Sequence, residues 1–236
     1  MYIHTYIHTY RQTYIRTYIH MYIHTYNSKI IAFANDLIIL TKGESVVEAE
    51  NYMNFEIRKI LEWAQNNKLN FNENKSEVIL MSRRRRTERK EIEICVNNKT
   101  LKQVNSIKYL GIIFDNKMTF RDHISYIEEK CTKLIFSPSK SMTITWGLKH
   151  EALKTIYTGG ILPLLLYGAP VWKSVLNKHC YKAKLIRIQR LINVRITKAY
   201  CTVSNEALCI VAGIKPIHIK VDEVGRYYEI TKGKGI

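Results

Sequence analysis

Between Ala152 and Asn205 the chain has no aspartate and no glutamate, although nine lysines and arginines fall there. No CxxC pair joins any of the five cysteines, Cys95, Cys131, Cys180, Cys201 and Cys209, and their number is odd. That excludes a disulfide framework and a zinc module, and it points to a reduced setting inside the cell. No secretory leader is visible. No apolar run is long enough to span a bilayer: the most apolar one, residues 161–172, is broken by Pro163, Gly168 and Pro170 and reads as buried core. The expectation is a protein of the nucleus or cytoplasm with no membrane partner.

What is present is positive charge. Thirty-seven basic against twenty acidic residues leave +17 on a chain of 236 residues, room for one ordinary domain or two small ones. An excess of that size concerns partners more than fold, and it suits phosphate polyanions or an anionic membrane surface; the alternative is a basic but otherwise ordinary soluble protein. Seven of the nine cations in the acid-free stretch lie within residues 178–198, on a segment whose Tyr181, Leu185, Ile188, Ile192, Ile196 and Ala199 form a helical stripe. Lys182, Lys184, Arg187, Arg190 and Arg195 are its candidate phosphate ligands; the alternative is a solvated face. A second cluster, Arg83 to Arg86, reads equally as a solvated loop.

The first twenty-six residues are a different text. Tyr recurs at 2, 6, 10, 14, 18, 22 and 26 in a Tyr-Ile-His-Thr unit without proline or glycine. The four-base repeat TACA, read in triplets, yields that unit. The segment is therefore read as translated simple-sequence DNA with no selected fold, expected to be disordered, and its composition is that of an aggregation-prone strand. A histidine metal site on His4, His8, His20 and His24 is the rival reading, but the repeat already accounts for the spacing.

Globular composition begins after Ser28. "KIIAFANDLIILTKG" places two apolar runs around Asn35-Asp36 and reads as a buried hairpin closed by Gly43. Ser45 with Glu48 three residues on is a capping box, and Val46, Ala49, Met53, Ile57, Ile60 and Ala64 predict a helix to about Gln65. Short strands are expected over residues 77–82, 91–96 and 109–114. From Thr119 the pattern turns helical: a stripe of Phe120, Ile124, Ile127, Cys131 and Leu134, a second helix near Glu151–Tyr157, and the basic third. A mixed half followed by a helical half predicts an α+β protein with a boundary near Met118.

At this point a family resemblance enters. Phe33-Ala34-Asn35-Asp36-Leu37 between two apolar strands resembles the Phe/Tyr-x-Asp-Asp box at the palm hairpin of reverse transcriptases. Lys68-Leu69-Asn70 to Lys75-Ser76-Glu77 looks like the helix-turn-strand element that follows the box. Lys108-Tyr109-Leu110-Gly111-Ile112-Ile113-Phe114 is similar to the primer-grip hairpin. "RLINVRITKAYCTVSNEALCIVAGIKPI" looks like the helical segment behind the polymerase of LINE-type (non-LTR) retrotransposons. The matches keep the family's order from Lys29 to about Ile217 and cover the C-terminal half of such a polymerase.

The resemblance implies residues 29–118 as a partial palm (antiparallel hairpins packed on a helix), residues 119–213 as a basic, thumb-like helical region, and 214–236 as a tail. It implies an RNA template, a DNA primer and Mg²⁺. Asp36 is then the metal ligand, Asn35 stands where the family has its first hairpin Asp, and Lys75 matches a proton donor to pyrophosphate. Tyr109, Leu110 and Gly111 would shape the primer groove. Two Mg²⁺ ions roughly 4 Å apart repel by about 16 kcal/mol at an effective dielectric near 20. The family offsets this with three Asp. Here Asp36 alone remains, since an amide oxygen brings no charge. The expectation is a polymerase fragment without activity; the alternatives are a non-catalytic nucleic-acid-binding module and a functionless pseudogene product.

Overall fold

The structure is a computed structural model that describes residues 2–9, 28–33, 36–81, 91–136 and 149–232. Asn35, the Arg83–Arg86 cluster, and His20 and His24 of the repeat lie outside the described residues. The chain divides into two compact units, Met1–Thr119 and Phe120–Ile236.

The first unit is a sheet with one long helix. Strands β1 (Tyr2–Thr9), β2 (Ser28–Phe33), β3 (Asp36–Lys42), β4 (Phe71–Met81) and β7 (Lys102–Gln103) are ordered β2-β3-β1-β4-β7. All neighbours are antiparallel except β4 and β7. The repeat, expected to have no fold, thus supplies a strand at the centre of the sheet through its first two units. The reason is an edge-pairing one. β3 and β4 do not pair with each other, and an extended segment between them satisfies the backbone groups of both.

Helix α1 (Val46–Asn66) starts as its cap predicts: the Glu48 amide donates to Ser45 Oγ at 3.1 Å, and Glu48 Oε2 accepts from the Glu44 amide at 2.8 Å. Its Ala49, Met53, Ile57, Ile60 and Ala64 are buried against Leu37 and Ile39 of β3 and Val78 of β4. β4 is buried on both faces, because Ile79 and Met81 join Ile107 in a second cluster while Val78 faces α1. That explains its continuous apolar run, Val78-Ile79-Leu80-Met81, where a half-exposed strand would alternate.

The opening hairpin departs from its reading as buried. β2 is an edge strand that alternates half-buried and exposed residues, with Ile31 and Phe33 exposed. The strand expected over residues 91–96 pairs only at β5 (Cys95–Val96), against β6 (Lys99–Thr100). The Ile94 carbonyl still accepts from the Leu101 amide at 2.7 Å, and the backbone groups on either side of it bond to a side chain. Asn54 of α1 donates from Nδ2 to the Glu93 carbonyl at 2.9 Å and accepts from the Cys95 amide at 3.2 Å. Residues 109–114 form a hairpin, β8 (Ser106–Tyr109) and β9 (Ile112–Asp115), turning at Leu110 and Gly111, both at positive φ.

The second unit is helical: α2 (Arg121–Phe136), α3 (His150–Ile156), a wider π-type turn over Tyr157–Ile161, α4 (Leu162–Leu166), α5 (Ala169–Trp172), a 3₁₀ turn over Lys173–Asn177, α6 (His179–Thr197), α7 (Asn205–Ala212) and α8 (Ile217–Lys232). The segment read as a tail is therefore mostly helix α8, whose Ile217 and Val221 are fully buried. In α2 the buried residue is Ile135 and the exposed one Leu134, one position off the predicted stripe. Gln189 of α6 ties the unit together. Its Nε2 donates to Tyr157 Oη at 3.0 Å and to the Lys215 carbonyl at 2.9 Å, and its Oε1 accepts from the Ile217 amide at 2.9 Å. Among the described residues no single helix is long and apolar enough to cross a membrane.

Candidate functional site

The apex of the β2-β3 hairpin sets the geometry. Phe33 pairs with Asp36 across the hairpin, Asp36 pairs with His8 of β1, and His8 pairs with Asn72 of β4. One row across four strands thus carries a single carboxylate. Glu44, the nearest acid along the chain, follows the opposite end of β3; six residues of strand, roughly 20 Å at about 3.4 Å each, separate Asp36 from Lys42.

Two other residues named from sequence lie near this row. Between Tyr6 and His8 the β1-β4 register shifts, because β4 bulges over residues 73–76. The bulge is held by Asn72: its Oδ1 accepts from the Asn74 and Lys75 amides at 3.1 and 3.3 Å, and its carbonyl accepts from Ser76 Oγ at 2.7 Å. Lys75 therefore sits exposed on a local excursion beside the row. Tyr109 is half-buried at the end of β8, and its phenol is held above the usual range by burial first and by the Asp36 carboxylate second. The fold brings these two side chains within electrostatic reach of each other. Leu110 is exposed and Gly111 half-buried at the tip of the same hairpin.

The row does not fit a pair of divalent ions. A two-metal centre needs several carboxylate oxygens, and the pairing row offers those of Asp36 alone. Among the described residues no three His, Cys, Asp or Glu side chains converge on a point.

The basic helix α6 is more engaged internally than its composition suggests. Arg190 donates to the Val203 carbonyl and to Asn205 Oδ1, both at 2.7 Å, and to the Cys201 carbonyl. Arg195 donates to the Ile135 carbonyl at 3.1 Å and lies over the Phe136 ring at 4.6 Å. Lys184 donates to Ser125 Oγ at 2.9 Å and pairs with Glu128 of α2 at 3.0 Å. Glu128 is the acid that the local sequence window hid, since it comes from another helix. Arg187 reaches the same Glu128 only at 4.0 Å and its side chain is 74% exposed. Lys182 is half-buried. Sequence reasoning missed the structural use of Arg190 and Arg195, because their acceptors are backbone carbonyls that no residue pattern displays.

No family profile matches the chain, and no solved structure matches it. Curated proteins do. It is 28% identical over 218 residues to a retrovirus-related Pol polyprotein from a type-1 retrotransposable element, R1 4, of Nasonia vitripennis, a match covering 86% of this chain and 55% of the relative. A counterpart from element R1 of Bradysia coprophila is also 28% identical, over 86% of this chain and 20% of its own length. The RNA-directed DNA polymerase from mobile element jockey of Drosophila melanogaster is 24% identical over 69% of this chain and 17% of its own. The chain spans about half the length of the Nasonia relative. It is a homologue of the polyproteins and RNA-directed DNA polymerases of the R1 and jockey non-LTR retrotransposons.

Proposed function

We propose that the chain is a fragment of a retrotransposon reverse transcriptase whose inherited reaction, RNA-directed DNA synthesis, it no longer performs. The homologues support the inherited reaction. The observation that carries its loss is the pairing row at the hairpin apex, where Asp36 faces His8 and the next strand contributes Asn72. Asn35 removes a second charge beside it, so Mg²⁺, the ion the family resemblance implies, lacks the anionic cage that would hold a pair. The test is primer extension on a primed RNA template with Mg²⁺ and Mn²⁺. No template-dependent product above an Asp36→Ala control is expected, and Asn35→Asp alone should not restore any. Extension that depends on Asp36 would overturn the reading.

Binding without chemistry is the second reading, and one observation favours it. Arg187 projects from a stretch free of acids with most of its side chain in solvent. RNA and DNA backbones are the partners such a surface suits.

A further inference from the structure

The strand that completes the sheet comes from a repeat, and the repeat has a property that an ordinary strand lacks. Side chains on a strand alternate with period two. A one-residue slip turns every side chain to the wrong face, and that normally fixes register. A slip of four residues along a Tyr-Ile-His-Thr tract changes neither the face nor the residue type. Tyr14–Met21, YIRTYIHM, keeps both isoleucines of β1, YIHTYIHT, whereas Tyr6–Thr13 and Tyr10–Thr17 set Arg11 at the place of Ile7 or Ile3, opposite buried Leu37 or Thr41, and are the poorer occupants. Moving β1 by eight residues would set Arg16 at the position of His8, opposite Asp36, an opposite-charge cross-strand pair.

The slot is defined by backbone pairing on both sides, and alternate positions along it lie opposite the buried Leu37, Ile39 and Thr41. β1 pairs along its length with β3, from Tyr2–Lys42 to His8–Asp36, and with β4, from Tyr2–Met81 to Thr9–Phe71. With β1 withdrawn, β3 keeps β2 and β4 keeps β7, and two strand edges face an empty channel. We propose that the channel between β3 and β4 is a strand-acceptor site for the Tyr-Ile-His-Thr tract, filled by any of several windows stepped four residues apart.

Chain length limits which windows serve within one molecule. The slot occupant ends beside Asp36, whereas β2 begins at Ser28, opposite Thr41 and two strands away. That gap is roughly 20 Å, from about 3.4 Å per residue along the strand and 4.8 Å between strands. A chain reaches at most about 3.5 Å per residue. A window ending at Thr17 has eleven residue steps to Ser28 and spans the gap easily, and one ending at Met21 barely does. A window ending at Thr25 has three and falls short, so Tyr18–Thr25 fills the slot only of a second copy. The spare units make this chain prone to strand exchange between copies.

Hydrogen exchange of residues 36–42 and 71–81 tests the proposal on the full chain, on a deletion of residues 2–9, and on a variant with residues 2–26 replaced by Gly-Ser of equal length. Protection in the full chain and the deletion should agree within about twofold, and the replacement should lose at least tenfold. Removing residues 2–17 should make protection rise with protein concentration. The proposal fails if the deletion of 2–9 loses as much as the replacement, since the occupant is then unique. It fails equally if the replacement keeps full protection, or if the full chain shows none. Concentration-independent protection after removal of 2–17 would overturn the second-copy step.

Discussion

Nη1 of Arg190 lies 2.7 Å from Oδ1 of Asn205, the residue that opens helix α7, and the same nitrogen donates to the Val203 carbonyl at 2.7 Å. The planar fork thereby fastens the α6-α7 connection to α6. Lysine keeps the charge but cannot reproduce the fork. Arg190→Lys should lower stability by about 2 kcal/mol, the scale of charge-assisted hydrogen bonds lost with carbonyls left unpaired. The urea midpoint of the full chain measures it. An unchanged midpoint would return Arg190 to the pool of phosphate ligands.

Local chemistry made much of this fold readable. Ser45 and Glu48 announce the start of α1 because capping is decided within four residues, and the spacing from Val46 to Ala64 fixes its buried face. The α+β class follows from the change of period after Met118. What escaped has a common cause, which is pairing over long sequence distance. Tyr2–Thr9 looks like noise until β3 and β4 offer it two edges. Asn54 bonds the Glu93 carbonyl and the Cys95 amide, contacts across about forty residues of sequence that no local pattern displays. Asp36 and Tyr109 stand out separately in the sequence, but only folding sets the phenol against the carboxylate. Leu134 and Ile135 are adjacent, and which one is buried depends on the helices that pack on α2.

Gly43 closes the hairpin where no side chain fits. A Cβ there would lie 2.6 Å from the Ala49 amide nitrogen, a backbone atom of α1 that cannot step aside. Gly43→Ala should therefore destabilise by about 1–3 kcal/mol, the usual range for overpacking a tight site. Loss of the cooperative melt at the wild-type midpoint, read by circular dichroism, is the expected signature. A stabilised variant would mean that the β3-α1 connection is looser than the described geometry.

The salt dependence of nucleic-acid binding separates Arg187 from its neighbours. Binding through phosphates should weaken with salt at a log-log slope of roughly −0.7 to −0.9 per phosphate neutralised. Arg187→Glu should flatten that slope by about one phosphate contact with little change in the urea midpoint, because its side chain is mostly solvated. Charge reversal at Arg190 would lower the midpoint and so report on folding instead. A slope near zero for the unmodified chain would sink the binding reading.

His123 gives the second unit a dependence on pH. It is 1% exposed, packs edge-on to Trp172 with ring centroids 6.0 Å apart, and burial lowers its pKa from 6.5 to about 4. Above pH 6.5 the ring is neutral folded and unfolded, and it contributes no slope. As pH falls below 6.5 the unfolded chain takes up a proton that the folded chain refuses, so stability declines until both forms are charged below about 4. The full loss is roughly 3 kcal/mol, taking 1.36 kcal/mol for each unit of pKa. His218 acts with the same sign, since burial first and Lys182 second lower its pKa. The window from pH 6.5 to 5 is informative, because the carboxylates whose pKa values are lowered, Glu48, Glu73, Glu129 and Glu223, lose stability only at lower pH, while Glu56, whose pKa burial raises, acts with the opposite sign and gains stability as pH falls. In His123→Gln the fall of the urea midpoint across that window should shrink to the smaller remainder that His218 supplies. A slope as steep as that of the parent chain would place the titrating group elsewhere.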